Sequence, residues 1–280
     1  MSGAGKKEGK KLFLTDLDGT LLNDSKQITE ETMEALREFA AKGNVFAICT
    51  GRAVENALDV QKELGLTFPG SYAVGYNGAH IYDYSGKRTL YRKGMELSDV
   101  REILELAEQR GIHCQGYFRQ YIVAKEYNEC MAFYRRVIHS PVIITDHVMD
   151  EFKEEPCKLL AMDLTDHEKL VRLKEDLEKR FSDKYIFLFS NPAYLEMFVK
   201  DAGKGTALLR IARELSIPIE NTYAAGDQEN DISMIEAAGV GIAMKNATEQ
   251  VKTSADVITD LDNNHGGLAS FIRRMTEGSL

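Results

Sequence analysis

Two aspartates one residue apart, Asp16 and Asp18, stand directly after the apolar run Leu12-Phe13-Leu14 and before Gly19-Thr20. Carboxylates that close repel each other, so the pairing asks for a use. Three further polar clusters carry compatible chemistry: Thr50-Gly51-Arg52, Gly203-Lys204-Gly205, and Gly226-Asp227 with Asn230-Asp231. Gathered at one place, these would set four carboxylates together: Asp16, Asp18, Asp227 and Asp231. Either some are then protonated or a hard divalent cation lies among them. Mg²⁺ takes a few carboxylate oxygens together with waters and phosphate oxygens. A threonine, glycine amides and a lysine beside such an ion suit a phosphoryl group, whose transfer is catalysed by positioning and charge neutralisation. A carboxylate can also be the nucleophile, forming an aspartyl-phosphate.

Each cluster taken singly has a plainer reading. An Asp-x-Asp-Gly turn can serve Asx-type hydrogen bonds. Thr50-Gly51 can be a strand-to-helix turn, and Gly226-Asp227 a helix N-cap. Lys204 can be a surface lysine at a helix start, a place whose amides also favour an anion. Arg52 can bind substrate or close a structural ion pair. Asn77-Gly78 is a turn signal.

The elements that carry the clusters favour convergence. LFL (12–14) and NVFAICTGR (44–52) read as strands buried on both faces, each ending at a cluster; TYAAGD (222–227) reads as another. A helix is predicted after Thr29, with Met33, Leu36, Phe39 and Ala40 as its apolar stripe and Lys42-Gly43 as its end. Further helices are predicted from about Ala53 to Leu64, over GKGTALLRIARELSI and over DISMIEAAG, with short strands at VGIAM and DVIT. Such alternation builds a parallel sheet with helices on both faces. Ligands of these sheets lie at the carboxyl ends of the strands, where the clusters would meet.

The middle of the chain has another rhythm. Helices are predicted over SDVREILELAEQRGI and HEKLVRLKEDLEKRF, and strands over YIVAKE, KLLAMDL, KYIFLFS and YLEMFVK. The organisation read from this is an α/β core over 11–86 and 193–280, interrupted by an α+β domain over 87–192, behind a flexible tail over 1–10.

The ordered set DLDGT (16–20), CTGR (49–52), GKG (203–205) and GDQENDISM (226–234) resembles the haloacid dehalogenase-like phosphohydrolase superfamily. With AAGVGIAMKNATEQVKTSADVIT (237–259), it resembles more narrowly the Cof-like sugar-phosphatase-type branch, which has a large α/β cap. The resemblance implies a Rossmann-like parallel-sheet core, an inserted α+β cap, and Mg²⁺-dependent hydrolysis of a small phosphorylated metabolite, sugar phosphates being the leading class. It implies Asp16 as nucleophile and Asp18 as general acid, then base. Thr50 and the Gly51 amide would hold phosphoryl oxygens, and Lys204 would offset negative charge. Mg²⁺ would rest on Asp16, the Asp18 backbone carbonyl and Asp227, with Asp231 supporting it directly or through water, Asn230 on the phosphoryl group and Asn77 near the cap–core cleft. An acid must differ from the nucleophile in protonation; metal ligation would keep Asp16 ionised while Asp18 keeps a proton. A phosphomutase with the same nucleophile and a silent phosphate-ligand sensor are the rivals. Asn263-Asn264-His265-Gly266-Gly267 departs from the branch, which commonly carries an acidic residue before Gly.

Composition excludes other classes. A net charge of −9 disfavours nucleic acid as main partner. The basic cluster Lys6, Lys7, Lys10 and Lys11 reads as a solvated tail. No apolar run approaches the roughly 18 residues of a membrane span, and the N-terminus has no apolar signal region. Cys49, Cys114, Cys130 and Cys157 are scattered without CxxC, as reduced cytoplasmic thiols would be. His113, His139 and His147 show no metal spacing, and GAGKKEGKK fails the P-loop spacing. A monomer or homodimer is expected, with Tyr117, Arg119 and Tyr121 as candidate specificity residues in the cap.

Overall fold

The computed structural model describes residues 9–136, 138 and 140–280. Lys6, Lys7 and His139 lie outside the described residues. Strands are β1 (Leu12–Thr15), β2 (Val45–Cys49), β3 (Tyr72–Gly75), β4 (His80–Asp83), β5 (Arg88–Arg92), β6 (His113–Phe118) and β7 (Tyr121–Ala124). There follow β8 (Val142–Ile144), β9 (Lys158–Met162), β10 (Tyr185–Asn191), β11 (Tyr194–Val199), β12 (Thr222–Gly226), β13 (Val240–Ala243) and β14 (Val257–Ile258). Helices are α1 (Glu30–Ala41), α2 (Val54–Glu63), α3 (Leu97–Gln109), α4 (Glu129–Tyr134) and α5 (Val148–Glu151). The rest are α6 (His167–Phe181), α7 (Lys204–Glu214), α8 (Ile232–Ala237), α9 (Glu249–Ser254) and α10 (Ala269–Glu277).

One sheet has the order β14-β13-β12-β1-β2-β3-β4-β5. Its strands run parallel from β14 to β3; β4 and β5 then form an antiparallel edge. All residues of β1, β2 and β12 are buried, because the sheet is covered on both faces. Phe13, Phe46 and Ile48 pack on one side with Leu36 and Phe39 of α1 and Phe271 and Ile272 of α10. Leu12, Leu14, Val45 and Ala47 pack on the other with Leu208 and Ile211 of α7. The alternation along each strand therefore feeds two apolar layers. On α1 the buried face is Thr32, Ala35, Leu36 and Phe39. Met33 and Ala40 of the expected stripe are only partly buried, and α1 packs against α10.

The second sheet has the order β10-β11-β9-β6-β7-β8 and forms the cap. Leu195, Met197 and Val199 share an apolar layer with Leu170, Leu173 and Leu177 of α6 and Val100, Ile103 and Ala107 of α3. Two boundaries of the sequence reading move. Strand β5, placed in the insert, is the outer half of a hairpin with β4 and belongs to the core sheet. Strand β11, placed in the core, pairs with β10 and β9 and belongs to the cap. The crossings between sheets thus follow Arg92 and Val199, because each terminal strand finds its partner in a hairpin.

The basic tail also needs correcting at one residue. Lys11 is 5 % exposed, and its Nζ donates to the Met275 carbonyl of α10 at 2.7 Å. Tyr117 is the penultimate residue of β6 and Tyr121 begins β7, with Arg119 at the hairpin turn in a left-handed conformation, φ +54°. No helix among the described residues is long and apolar enough to cross a membrane.

Candidate active site

Strands β1, β2 and β12 are adjacent and parallel, so the residues that follow them share one edge. Asp16 follows β1, Thr50 follows β2 and Asp227 follows β12. Lys204 opens α7 at the same edge. It is 1 % exposed, and its Nζ lies 2.6 Å from Asp16 Oδ1 and 2.6 Å from Asp231 Oδ1. The other oxygen of Asp231, Oδ2, accepts from the Asp227 amide at 2.9 Å and the Gln228 amide at 3.0 Å. Asp231 thereby fixes both the loop and the lysine. Thr20 Oγ1 donates to Asp227 Oδ1 at 2.7 Å. Gly19 permits this approach: at φ +86°, a Cβ there would stand 2.6 Å from Asp227 Oδ2.

Asp16, Asp227 and Asp231 offer carboxylate oxygens within 4.8 Å of one another, all buried. One ammonium faces three carboxylates, so the group carries surplus negative charge. Burial pushes the Asp16 carboxyl up, with Asp231 and Asp227 adding to it against Lys204. Burial likewise raises Asp227. Burial works against the Lys204 charge, but Asp16 and Asp231 outweigh it and hold the ammonium protonated. An oxygen-rich, electron-surplus donor set of this kind fits a hard divalent cation, which would relieve the repulsion.

Asp18 lies outside that group. Its carboxylate is gripped by Arg52, whose Nη2 lies 2.6 Å from Oδ2 and 2.7 Å from Oδ1, and by Lys26 Nζ at 2.7 Å. Burial opposes ionisation here, but Arg52 and Lys26 outweigh it and hold the carboxyl below its usual range. Burial and carboxylate neighbours push Asp16 up while Arg52 and Lys26 hold Asp18 down; the expected order, Asp16 ionised and Asp18 protonated, belongs to the site with an ion on Asp16. The cause of the difference is local: Asp18 has two cations at contact distance, whereas Asp16 shares one with Asp231. Of the two readings of Arg52, the structure shows an ion pair, made with Asp18.

Asn77 and Asn230 also meet. Asn230 Nδ2 donates to Asn77 Oδ1 at 3.2 Å, and Asn77 Nδ2 donates to Glu196 Oε2 of the cap at 3.2 Å. Thr50 is buried and accepts from the Arg52 amide at 3.2 Å; a Cβ on Gly51 would lie 3.3 Å from Asn77 Oδ1. All eight core positions singled out from the sequence besides the two motif aspartates, Thr50, Gly51, Arg52, Lys204, Asn230, Asn77, Asp227 and Asp231, therefore stand in the network around Asp16 and Asp18.

Four residues that contact the network lie outside the sequence reading: Thr20, Lys26, Glu196 and Lys158, whose Nζ pairs with Glu196. Thr20 was in view inside DLDGT. Lys158 and Glu196 stand as charges inside apolar strands, a signal that each needs a buried partner. Lys26 sits in a polar loop with nothing in its spacing to mark it. The Cys49 thiol of CTGR is fully buried in β2, and burial pushes it up. Tyr76 Oη donates to the Arg119 carbonyl at 3.1 Å, so the cap hairpin touches the core. Tyr117 packs against Tyr76, ring centroids 5.9 Å apart. A cavity of about 730 Å³ within the cap is lined by Arg101, Glu105, Lys125, Asp146 and Asp163 among others, and by none of the site residues. Asn263 and Asn264 of the departing loop bind Leu22 and Asp24, beside the site loop rather than in it.

The fold is that of a capped α/β hydrolase, with a buried aspartate cluster at the carboxyl edge of its core sheet. Residues 13–272 match the family model described as haloacid dehalogenase-like hydrolase, and the chain belongs to that family. It is 30 % identical over 263 residues to a 5-amino-6-(5-phospho-D-ribitylamino)uracil phosphatase of Bacillus subtilis, covering 94 % of each chain. It is 28 % identical over 258 residues to an HMP-PP phosphatase of Yersinia enterocolitica, covering 86 % of each. A haloacid dehalogenase-like hydrolase from Bacteroides thetaiotaomicron superposes with a TM-score of 0.87 at 28 % identity, over 95 % of this chain and 100 % of that one. The protein is a phosphatase-type hydrolase of the Cof-like branch.

Proposed function

We propose that the protein is a Mg²⁺-dependent phosphomonoesterase that acts on small phosphorylated metabolites, sugar phosphates foremost, through an aspartyl-phosphate on Asp16. The observation that carries this reading is the buried Asp16–Lys204–Asp231 chain beside Asp227 at the carboxyl edge of the sheet. Asp16, the Asp18 carbonyl, Asp227 and Asp231 would hold the ion. Bound there, the ion supplies charge neutralisation for the phosphoryl oxygens and keeps the nucleophile ionised.

In the first step an Asp16 carboxylate oxygen forms a bond to phosphorus while the bond to the leaving oxygen breaks. Asp18 gives that oxygen its proton. In the second step water attacks phosphorus, Asp18 takes the water proton, and the Asp16–phosphorus bond breaks to release phosphate. Lys204 holds the Asp16 oxygen and offsets its charge. Arg52 and Lys26 now sit on Asp18; an arriving phosphoryl dianion offers them a second anion and frees Asp18 to carry a proton. Thr50, the Gly51 amide and Asn230 orient the phosphoryl oxygens. Relatives named for chemically different substrates fit a common core with specificity set by the cap.

The test is hydrolysis of a generic aryl phosphate with Mg²⁺, with EDTA, and with Asp16→Asn. Turnover is expected only in wild type with Mg²⁺; equal rates in all three contradict the reading. Labelled phosphate should go to water, whereas transfer to a second hydroxyl would indicate a mutase.

A further inference from the structure

The phosphoryl side of the core rests on two loops laced together by backbone. The Tyr76 amide donates to the Arg52 carbonyl at 2.8 Å, and the Asn77 amide to the Thr50 carbonyl at 3.0 Å. Tyr76 and Asn77 both have left-handed backbones, φ +50° and +53°. Such conformations in residues other than glycine persist only where their surroundings hold them. Besides the Tyr76–Arg119 contact, the cap reaches this pair of loops with two charged side chains. Lys158 Nζ reaches the Gly51 carbonyl at 3.4 Å, and Glu196 Oε2 accepts from Asn77 Nδ2 at 3.2 Å.

Lys158 and Glu196 pair with each other at 2.9 Å, their side chains 5 % and 12 % exposed. They lie diagonally on the antiparallel strands β9 and β11, where Glu196 faces Leu160 and Lys158 faces Phe198. A buried ion pair adds little net stability over an apolar pair of similar size. The cap sheet therefore has no need of it, whereas the core loops gain two contacts from it. Glu196 can only accept, so Asn77 must turn its amide nitrogen to the cap and its oxygen to Asn230. Asn230 precedes Asp231, which holds Lys204. One cap carboxylate thus sets the orientation of an amide chain that ends beside the reacting groups.

We propose that Lys158 and Glu196 form a clamp through which the docked cap positions the loops 50–52 and 76–77, and with them Asn230. They are positioning residues; neither touches Asp16 or Asp18. The proposal rests on the phosphatase reading for its kinetic arm only.

The test compares Lys158→Met/Glu196→Leu, which removes both charges and strands neither, with Lys158→Met/Glu196→Gln, which keeps an acceptor for Asn77. With an aryl phosphate and Mg²⁺, the Leu form should lose roughly tenfold in kcat with little change in KM, a modest misplacement by the measure of positioning effects. The Gln form should recover most of that loss. In an Asn77→Ala background the Leu form should add less than about twofold, because its action passes through Asn77. Multiplicative losses would overturn the proposal. Amide hydrogen exchange is the second arm. The Arg52, Tyr76 and Asn77 amides should exchange faster in the Leu form while β9 and β11 keep wild-type protection. Unchanged exchange in those loops would overturn the clamp. If wild-type protein fails to hydrolyse the aryl phosphate, the phosphatase reading falls and exchange still decides the clamp.

Discussion

Asp16 and Asp18, one residue apart, meet opposite surroundings. Asp16 turns into a buried group of carboxylates with a shared lysine, and Asp18 turns out to Arg52 and Lys26. The difference has a measurable sign. Burial raises the Asp16 carboxyl from its ordinary 3.8 to about 8. A carboxyl raised on folding makes the native state bind more protons than the unfolded chain. Its contribution is present in full below the ordinary value and is lost as pH rises toward about 8. In EDTA, the denaturation midpoint should therefore fall across that window, and Asp16→Asn should flatten the fall and stabilise the protein at its upper end. Parallel profiles for the two proteins would contradict this. At this scale the sequence was most legible where residue types are restrictive: aspartates, a threonine and a lysine at strand and helix ends. Lys26 was illegible because its role comes from proximity to Asp18 alone.

At the scale of elements, the turn after β1 depends on Gly19. Its positive φ and the short reach to Asp227 leave no room for a side chain. Gly19→Ala should cost on the order of 1–3 kcal/mol in stability from backbone strain and roughly 10²-fold in kcat from displacing Asp227. Urea titration and steady-state kinetics check both; activity within twofold of wild type would show that Asp227 is not held by this turn. Strands β1, β2 and β12 were legible as continuous apolar runs because the sheet is covered on both faces. Strands β5 and β11 were legible as strands but were assigned to the wrong sheets. Sheet membership is fixed by hairpin partners, and composition along RTLYR or YLEMFV does not name a partner. The face of α1 was shifted for the same reason: its neighbour α10 lies more than two hundred residues away in sequence.

The whole molecule joins a core that holds the aspartate cluster to a cap that meets its loops through Tyr76–Arg119, Asn77–Glu196 and Gly51–Lys158. Such closure suits chemistry in which water must be kept from competing until the first step is complete. The convergence of four distant motifs on one sheet edge followed from strand order, which the alternation of strands and helices already implied. The docking of the cap did not follow, because it depends on single side chains on β9 and β11. The central claim is that Asp16 carries the phosphoryl group between the two steps. Acid-quenching the enzyme during turnover of a phosphate-labelled substrate, followed by peptide mapping, tests it directly. The account predicts label on the peptide containing Asp16, lost in mild alkali, absent in Asp16→Asn. Steady turnover with no label on that peptide, or with label on another residue, would contradict it.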